Sequence, residues 1–184
     1  DKTYRLEQLI NEFFEINRYS LHSIVVNPEK IHLKTMLLQI ADEFYPILEA
    51  DGKTISVDAP ADLILVGDAD KLARVFNNIL KNAAAYSYEH TQIHIRAYQR
   101  EGWTIITFVN QGTPIPPHQV ETIFEKFYRL DTARSSKTGG SGLGLAIAKE
   151  IVTAHHGTIL AASDAENTVF TIRLPNPPQP VQPC

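Results

Sequence analysis

The hydrophobic positions of the chain change period several times along its 184 residues, and each change marks an element. Residues 1–19 place Leu6, Leu9, Ile10, Phe13, Phe14 and Ile16 at mostly three-and-four spacing, which predicts an amphipathic helix. No capping residue precedes it, so it reads as the end of a longer helix whose apolar stripe needs a partner. Leu33–Ala50 predicts another helix, with Pro46 expected to bend it or end its regular part. Thr54–Asp58 and Leu63–Val66 read as short strands. The clearest helix covers Asp68–Tyr86, where Leu72, Val75, Phe76, Ile79, Leu80 and Ala83 share one stripe. Thr91–Tyr98 and Trp103–Val109 alternate apolar and polar residues across Glu101-Gly102, the pattern of a β-hairpin. A short helical patch is expected around Val120–Phe127, a strong helix over Leu143–His155, and a second strand pair over Gly157–Ser163 and Val169–Leu174. Single-sided helix stripes and hairpins in place of strict βαβ units predict an α+β fold, a two-layer sandwich of helices over one mixed β-sheet.

This pattern divides the chain into a helix end over 1–19, a linker over 20–30, a folded domain over 31–174 and a tail over 175–184. The tail holds five prolines and almost no apolar residues, so it is expected to be disordered. A hydrophobic fraction of 43% is that of an ordinary globular protein, enough for one sizeable core. The net charge of −4 gives no reason to expect nucleic-acid binding. The one cysteine, Cys184, excludes an intramolecular disulfide, and no apolar run is long enough for a membrane span. No signal peptide is evident. The start at Asp1 without a methionine suggests a processed chain or a piece of a longer protein.

Four segments carry candidate chemistry. On the Asp68–Tyr86 helix, the face opposite the stripe bears Arg74, Asn78 and Asn82, stacked in one column at four-residue spacing. Asparagine is a mediocre helix former, and its oxygen is a hard neutral ligand suited to a Mg²⁺ ion that shares phosphate oxygens. A plain hydrophilic surface helix would present the same column. Thr138–Leu145 sets Gly140, Gly142 and Gly144 at the start of a strong helix, where backbone N–H groups and the helix dipole favour an anion. It lacks the Gly-Lys-Ser/Thr ending of a Walker loop, and a surface loop is the competing reading. Just before it, Ile123–Arg129 sets three aromatic rings beside the cations Arg129, Arg134 and Lys137, a gathering that suits phosphates. The polar run 131–138 suits a lid. Finally, Asn110-Gln111-Gly112-Thr113-Pro114-Ile115-Pro116 follows a strand end. An amide there can accept from and donate to a purine edge, and Gly112 permits close backbone approach, although an ordinary turn would look alike.

In this order and spacing these segments resemble the ATP-binding catalytic domain of bacterial sensor histidine kinases, in the gyrase–Hsp90–histidine kinase–MutL group with its Bergerat-type ATP-binding fold. The likeness covers roughly residues 1–175. Phe76–Ala83 is similar to the family's N box, Asn110–Ile115 to its first glycine box, Ile123–Arg129 to its F box and Gly140–Leu145 to its second glycine box. His155-His156-Gly157 stands where His-Gly-Gly is usual. The resemblance implies ATP and Mg²⁺, with Asn82 and Asn78 at the metal, Tyr86 against the adenine and Asn110 reading it. It places Arg129 and the lid cation Lys137 toward the phosphates, with Lys81 and Arg74 as candidates for a further cation there, and Gly140, Gly142 and Gly144 at a lid hinge. Gly112, Ile115, Tyr128, Leu143 and Leu145 complete the nucleotide-binding set, and Asn82 with Arg129 form the catalytic pair. Three departures stand out: Asn110 replaces the usual Asp, Pro114 a common glycine, and Ala85 a frequent Lys or Arg. Residues 71–87 and 123–151 closely resemble VanS-type kinases, which regulate vancomycin resistance.

Membership of that family implies transfer of the ATP γ-phosphoryl group to a histidine upstream of residue 1, then to a VanR-like response regulator. Residues 1–19 would be the end of the dimerisation and phosphoacceptor domain's helix. The full protein would be an inner-membrane homodimer with this part cytoplasmic, and the fragment alone would be monomeric. None of the seven histidines here sits in an acceptor's usual context. Two rival readings are a gyrase- or MutL-like ATPase and a nucleotide-sensing module with a degenerate site. The ATPase reading is weakened because its glutamate base would stand at position 78, which is asparagine.

Overall fold

A computed structural model of the chain describes residues 24–128 and 142–176. The helix read over 1–19, the cations Arg129, Arg134 and Lys137, the lid run 131–138, the hinge residue Gly140 and residues 177–184 lie outside that description. The elements in order are β1 (Glu29–His32), α1 (Leu33–Glu49), β2 (Thr54–Asp58), β3 (Ile64–Gly67), α2 (Ala69–Tyr86), β4 (Gln92–Arg100) and β5 (Trp103–Gln111). After the 3₁₀ turns Pro117–Gln119 and Thr122–Phe124 come α3 (Gly144–Ala154), β6 (Thr158–Ser163) and β7 (Asn167–Pro175).

Five strands form one mixed sheet in the order β2-β4-β5-β7-β6, in which only the β2–β4 pair is parallel. Alternation sends Ile93, Ile95 and Ala97 of β4, Ile106 and Phe108 of β5, and Phe170, Ile172 and Leu174 of β7 to the inner face. There they meet the stripes of the helices, with Phe76 of α2 against Phe108 at 6.1 Å between ring centroids. The helices thus form the second layer, as the one-sided stripes require.

Two features depart from the pattern read along the chain. Glu29–His32 is a strand that begins inside the expected linker 20–30 and runs into the expected domain. It pairs antiparallel with β3 as a separate two-stranded sheet, and Ile31 is its one buried residue, too little for alternation to be visible. At the other end, β7 continues to Pro175, and Asn176 is buried. Its side chain donates to the carbonyl of Ile64 at 2.8 Å and to Thr104 Oγ1 at 2.9 Å, while its N–H donates to Gly102. The domain therefore ends beyond Leu174, inside a segment whose prolines disguise it. Helix α1 runs on through Pro46 to Glu49, with Pro46 on the solvent side.

One polar node sets how α2 and α3 lie together. Asp68 caps α2, its carboxylate accepting from the Lys71 N–H at 3.1 Å, the Lys71 ammonium at 2.7 Å and the Asn27 N–H at 3.1 Å. Its own N–H donates to Nε2 of buried His155 at 3.0 Å, and His155 Nδ1 donates to the Ile151 carbonyl at 2.8 Å. Those partners require a neutral ring protonated at Nδ1, since one can only donate and the other only accept. The C-terminus of α3 is thereby fastened to the N-terminus of α2. The N-terminus of α3 then falls beside the middle of α2, where Asn78 lies.

Burial alone would raise the pKa of Asp68. The hydrogen bonds from the Lys71 side chain, Asn27 and the Lys71 N–H, with the Lys71 charge, outweigh burial and hold it below the ordinary carboxylate value. A depressed pKa in the folded state contributes stability above the unfolded value of about 3.9, which is lost as the pH falls through that value toward the folded one. In denaturant titrations from about pH 6 to about pH 3, the wild type should lose stability more steeply than Asp68→Asn. Asp68→Ala, which also removes the cap, should cost about 1–2 kcal/mol at neutral pH. Equal slopes for the wild type and Asp68→Asn would remove the assigned role of this charge.

Candidate functional site

Between the C-terminal half of α2, the start of α3 and the loop after β5 lies a cleft of about 310 Å³. Its deep wall comes from the sheet. Asn110, next to last in β5, points inward and is 3% exposed. Thr168 of β7 is its cross-strand partner and Phe170 lies next along the same face. The Thr168 hydroxyl lies 2.9 Å from Ser163 Oγ, which also accepts from the Ile115 N–H at 3.0 Å. This hydroxyl pair ties the loop after β5 to the β6–β7 hairpin and holds Ile115 against the cleft.

The same loop is fastened to the end of α2. Tyr88 N–H donates to Gln111 at 2.9 Å, and Ser87 and Gly112 form an isolated antiparallel bridge. A side chain at Gly112 would place its Cβ 2.2 Å from the Tyr86 carbonyl oxygen, so the approach is open only to glycine. Gly112 does not line the cleft. It sets the spacing between two residues that do, Tyr86 and Asn110.

On the helical side, Asn82 lines the cleft and donates through Nδ2 to the Asn78 carbonyl at 2.8 Å. Asn78 donates through Nδ2 to the Gly144 carbonyl at 3.0 Å. A carbonyl can only accept, so each contact fixes which end of the amide is the oxygen. Neither oxygen has a protein partner among the described residues. Asn82 thus lines the cleft with Oδ1 unpartnered among the described residues, while Asn78 tethers α2 to the first residue of α3 and does not line the cleft.

Helix α3 begins at Gly144 without a side-chain cap among the described residues, so its first N–H groups remain available to an anion. Gly142 reaches this point with φ of 76°, and a Cβ there would lie 2.9 Å from the Tyr128 carbonyl oxygen. Its own carbonyl accepts from the Phe127 N–H at 3.0 Å, so the two ends of the undescribed stretch 129–141 are held one hydrogen bond apart.

The structure therefore brings Asn82, Tyr86, Asn110, Ile115, Tyr128, Gly142, Gly144 and Leu145 of the expected residues to one cleft. Lys81 is exposed on the neighbouring turn of α2, and Leu143 is fully buried in the core. Neither lines the cleft. Arg129, Lys137 and Gly140 lie outside the described residues. Thr168 is not among the expected site residues because the expected strand begins at Val169, and Phe170, inside that strand, carries no motif that marks it as lining a site. The inward parity of Ile172 and Leu174, carried back four residues, would have found both. No described lining residue is charged. The carboxylates held below their ordinary values lie elsewhere: Asp51 by a hydrogen bond and charge from Lys53, Asp164 by the N–H groups of Asn167 and Glu166, and Asp68 as above.

A slot with one buried amide, opening beside a helix N-terminus and an amide oxygen that have no side-chain partner among the described residues, suits a flat heteroaromatic base with phosphates at one end. The chain belongs to the histidine kinase-, DNA gyrase B- and HSP90-like ATPase family, whose model matches residues 67–178. It is 57% identical over 178 residues to the sensor protein VanS of Enterococcus faecium, covering 97% of this chain and 46% of that protein. It spans about half the length of such relatives. Among solved structures it is similar to full-length ShkA in complex with AMPPNP, at a TM-score of 0.82 and 21% identity over 94% of this chain and 36% of that one. It is also similar to the histidine kinase ThkA in complex with the response regulator TrrA, at a TM-score of 0.79 and 23% identity over 97% of this chain and 50% of that one. At these identities the two structures speak for the fold alone.

Proposed function

We propose that the chain is the catalytic part of a two-component sensor histidine kinase, passing the γ-phosphoryl group of ATP to a histidine outside this chain and then to a response regulator. The observation that carries this reading is the chemistry of the cleft floor. Among the described residues lining the cleft there is no carboxylate, histidine or lysine to activate water. Position 78, where a water-activating ATPase would need a base, is an amide committed to the Gly144 carbonyl. A site that positions a phosphoryl group without a base suits a nucleophile brought by another protein segment. The likeness to VanS supports the same reading and points to glycopeptide-antibiotic signalling with a VanR-like regulator.

The residues fit a Mg²⁺ ion shared with phosphate oxygens, because Asn82 Oδ1 is a hard oxygen with no protein partner among the described residues. When bound, the ion would neutralise charge on the phosphates. The chain's own residues do the rest. Tyr86, Ile115 and Phe170 flank the base, the first turn of α3 receives phosphate oxygens, and Asn78 holds that turn at a set distance from Asn82. Arg129 and Lys137 would add positive charge at the terminal phosphates. No helix among the described residues is long and apolar enough to cross a membrane. The full protein is proposed to be a membrane-anchored homodimer with this domain on the cytoplasmic side, its dimerisation domain carrying the acceptor.

The test mixes this chain with a separately produced acceptor domain, the regulator and γ-labelled ATP. An acid-labile, base-stable label on the acceptor, chased onto the regulator, is the expected result. Brisk phosphate release with no protein label would establish an ATPase instead. Nucleotide binding without either outcome would leave only a binding module.

A further inference from the structure

Resting on the nucleotide-binding reading above, we propose that this cleft takes 6-oxopurine nucleoside triphosphates as well as ATP, with Asn110 as the residue that permits both. The two ends of the cleft differ in chemistry. The uncapped start of α3 is the anion end. The opposite end, where Asn110 and Thr168 are 3% and 5% exposed beside Ile115 and Phe170, suits a flat heteroaromatic ring with one polar edge. The base edge therefore meets the Asn110 amide.

That amide differs from the other two at the site. Asn78 and Asn82 each have Nδ2 committed to a backbone carbonyl, so neither can turn over without losing a hydrogen bond. Asn110 makes no side-chain hydrogen bond to any described residue, and the hydroxyl opposite it is engaged with Ser163. An asparagine amide rotates between two broad, roughly equivalent orientations. In one, Oδ1 accepts from the amino group of adenine while Nδ2 donates to ring N1. In the other, Nδ2 donates to the C6 oxygen of a 6-oxopurine while Oδ1 accepts from its N1–H. Both edges are satisfied by a half-turn that costs no protein hydrogen bond. A carboxylate at this position could only accept, and would set an oxygen against the C6 oxygen of the second base.

Inosine triphosphate is the probe, because it carries the 6-oxo edge without the extra 2-amino group of guanine. Binding of ATP and of inosine triphosphate, each with Mg²⁺, is measured by calorimetry on this chain and on Asn110→Asp. The wild type should hold the two nucleotides within about tenfold of each other, and Asn110→Asp should widen the preference for ATP by about tenfold or more. The wild-type ratio stands by itself should the variant fold poorly. A wild-type preference for ATP above about a hundredfold, or a ratio unmoved by Asn110→Asp, would overturn the proposal while leaving the ATP site intact. Failure of the wild type to bind ATP would instead strike the functional reading and bring this inference down with it.

Discussion

Asn82→Asp is expected to abolish productive Mg-ATP binding, the largest effect of any single substitution at this site. In the wild type, Asn82 Nδ2 donates to the Asn78 carbonyl at 2.8 Å, which leaves Oδ1 toward the cleft. A carboxylate has no donor. Its oxygen would face that carbonyl with no hydrogen between them, and the side chain would leave its present rotamer. It would also bring a negative charge to a site built for a triphosphate. Even outer-shell partners of a metal typically cost about 10–100-fold when lost, so a direct ligand should reach the upper end of that range or exceed it. Calorimetry with and without Mg²⁺ separates the contributions: the variant should lose the metal-dependent part of the affinity. Affinity and metal dependence both unchanged would refute the assignment of Asn82.

Gly112→Ala should have the next largest effect, and it acts without touching the ligand. The new methyl group would stand 2.2 Å from the Tyr86 carbonyl oxygen and 2.9 Å from its carbon, both of them backbone atoms that no rotamer change can move. Relief requires the end of β5 to separate from the end of α2, breaking the Ser87–Gly112 bridge and the Tyr88–Gln111 hydrogen bond. Overpacking of this kind costs about 1–3 kcal/mol. The same separation moves Asn110 away from Tyr86, so nucleotide affinity should fall by about tenfold or more even where the variant stays folded. Denaturant unfolding and nucleotide titration on one preparation measure both. A stable variant with wild-type affinity would show that this close approach is not what spaces the walls.

Much of this was legible in one dimension, for a physical reason. Helix stripes and strand alternation are short-range patterns, and the strongly periodic α2 and α3 follow theirs almost to their ends. The site's helical side was legible for the same reason, since Asn78 and Asn82 stand one turn apart on α2 and Gly142–Leu145 lies at the mouth of α3. Strand β1 was not legible, because its identity depends on pairing with β3 some thirty residues away and its own pattern contains one buried residue. Asn176 was hidden likewise, a polar residue in a proline-rich stretch that is buried only through partners on β3, β5 and the β4–β5 turn.

The sequence by itself therefore determined the layers, the family likeness and the residue types available to hold a nucleotide. Tertiary structure alone decided their division of labour. It turned Asn82 into the cleft and Asn78 into a tether for α3, although the two share one column of one helix. It brought Thr168 opposite Asn110 through a β5–β7 register that no local pattern encodes. Spacing along a helix says which residues share a face. Only the neighbour packed against that face determines which amide is committed to a backbone carbonyl, and which keeps its oxygen or its freedom to turn for a ligand.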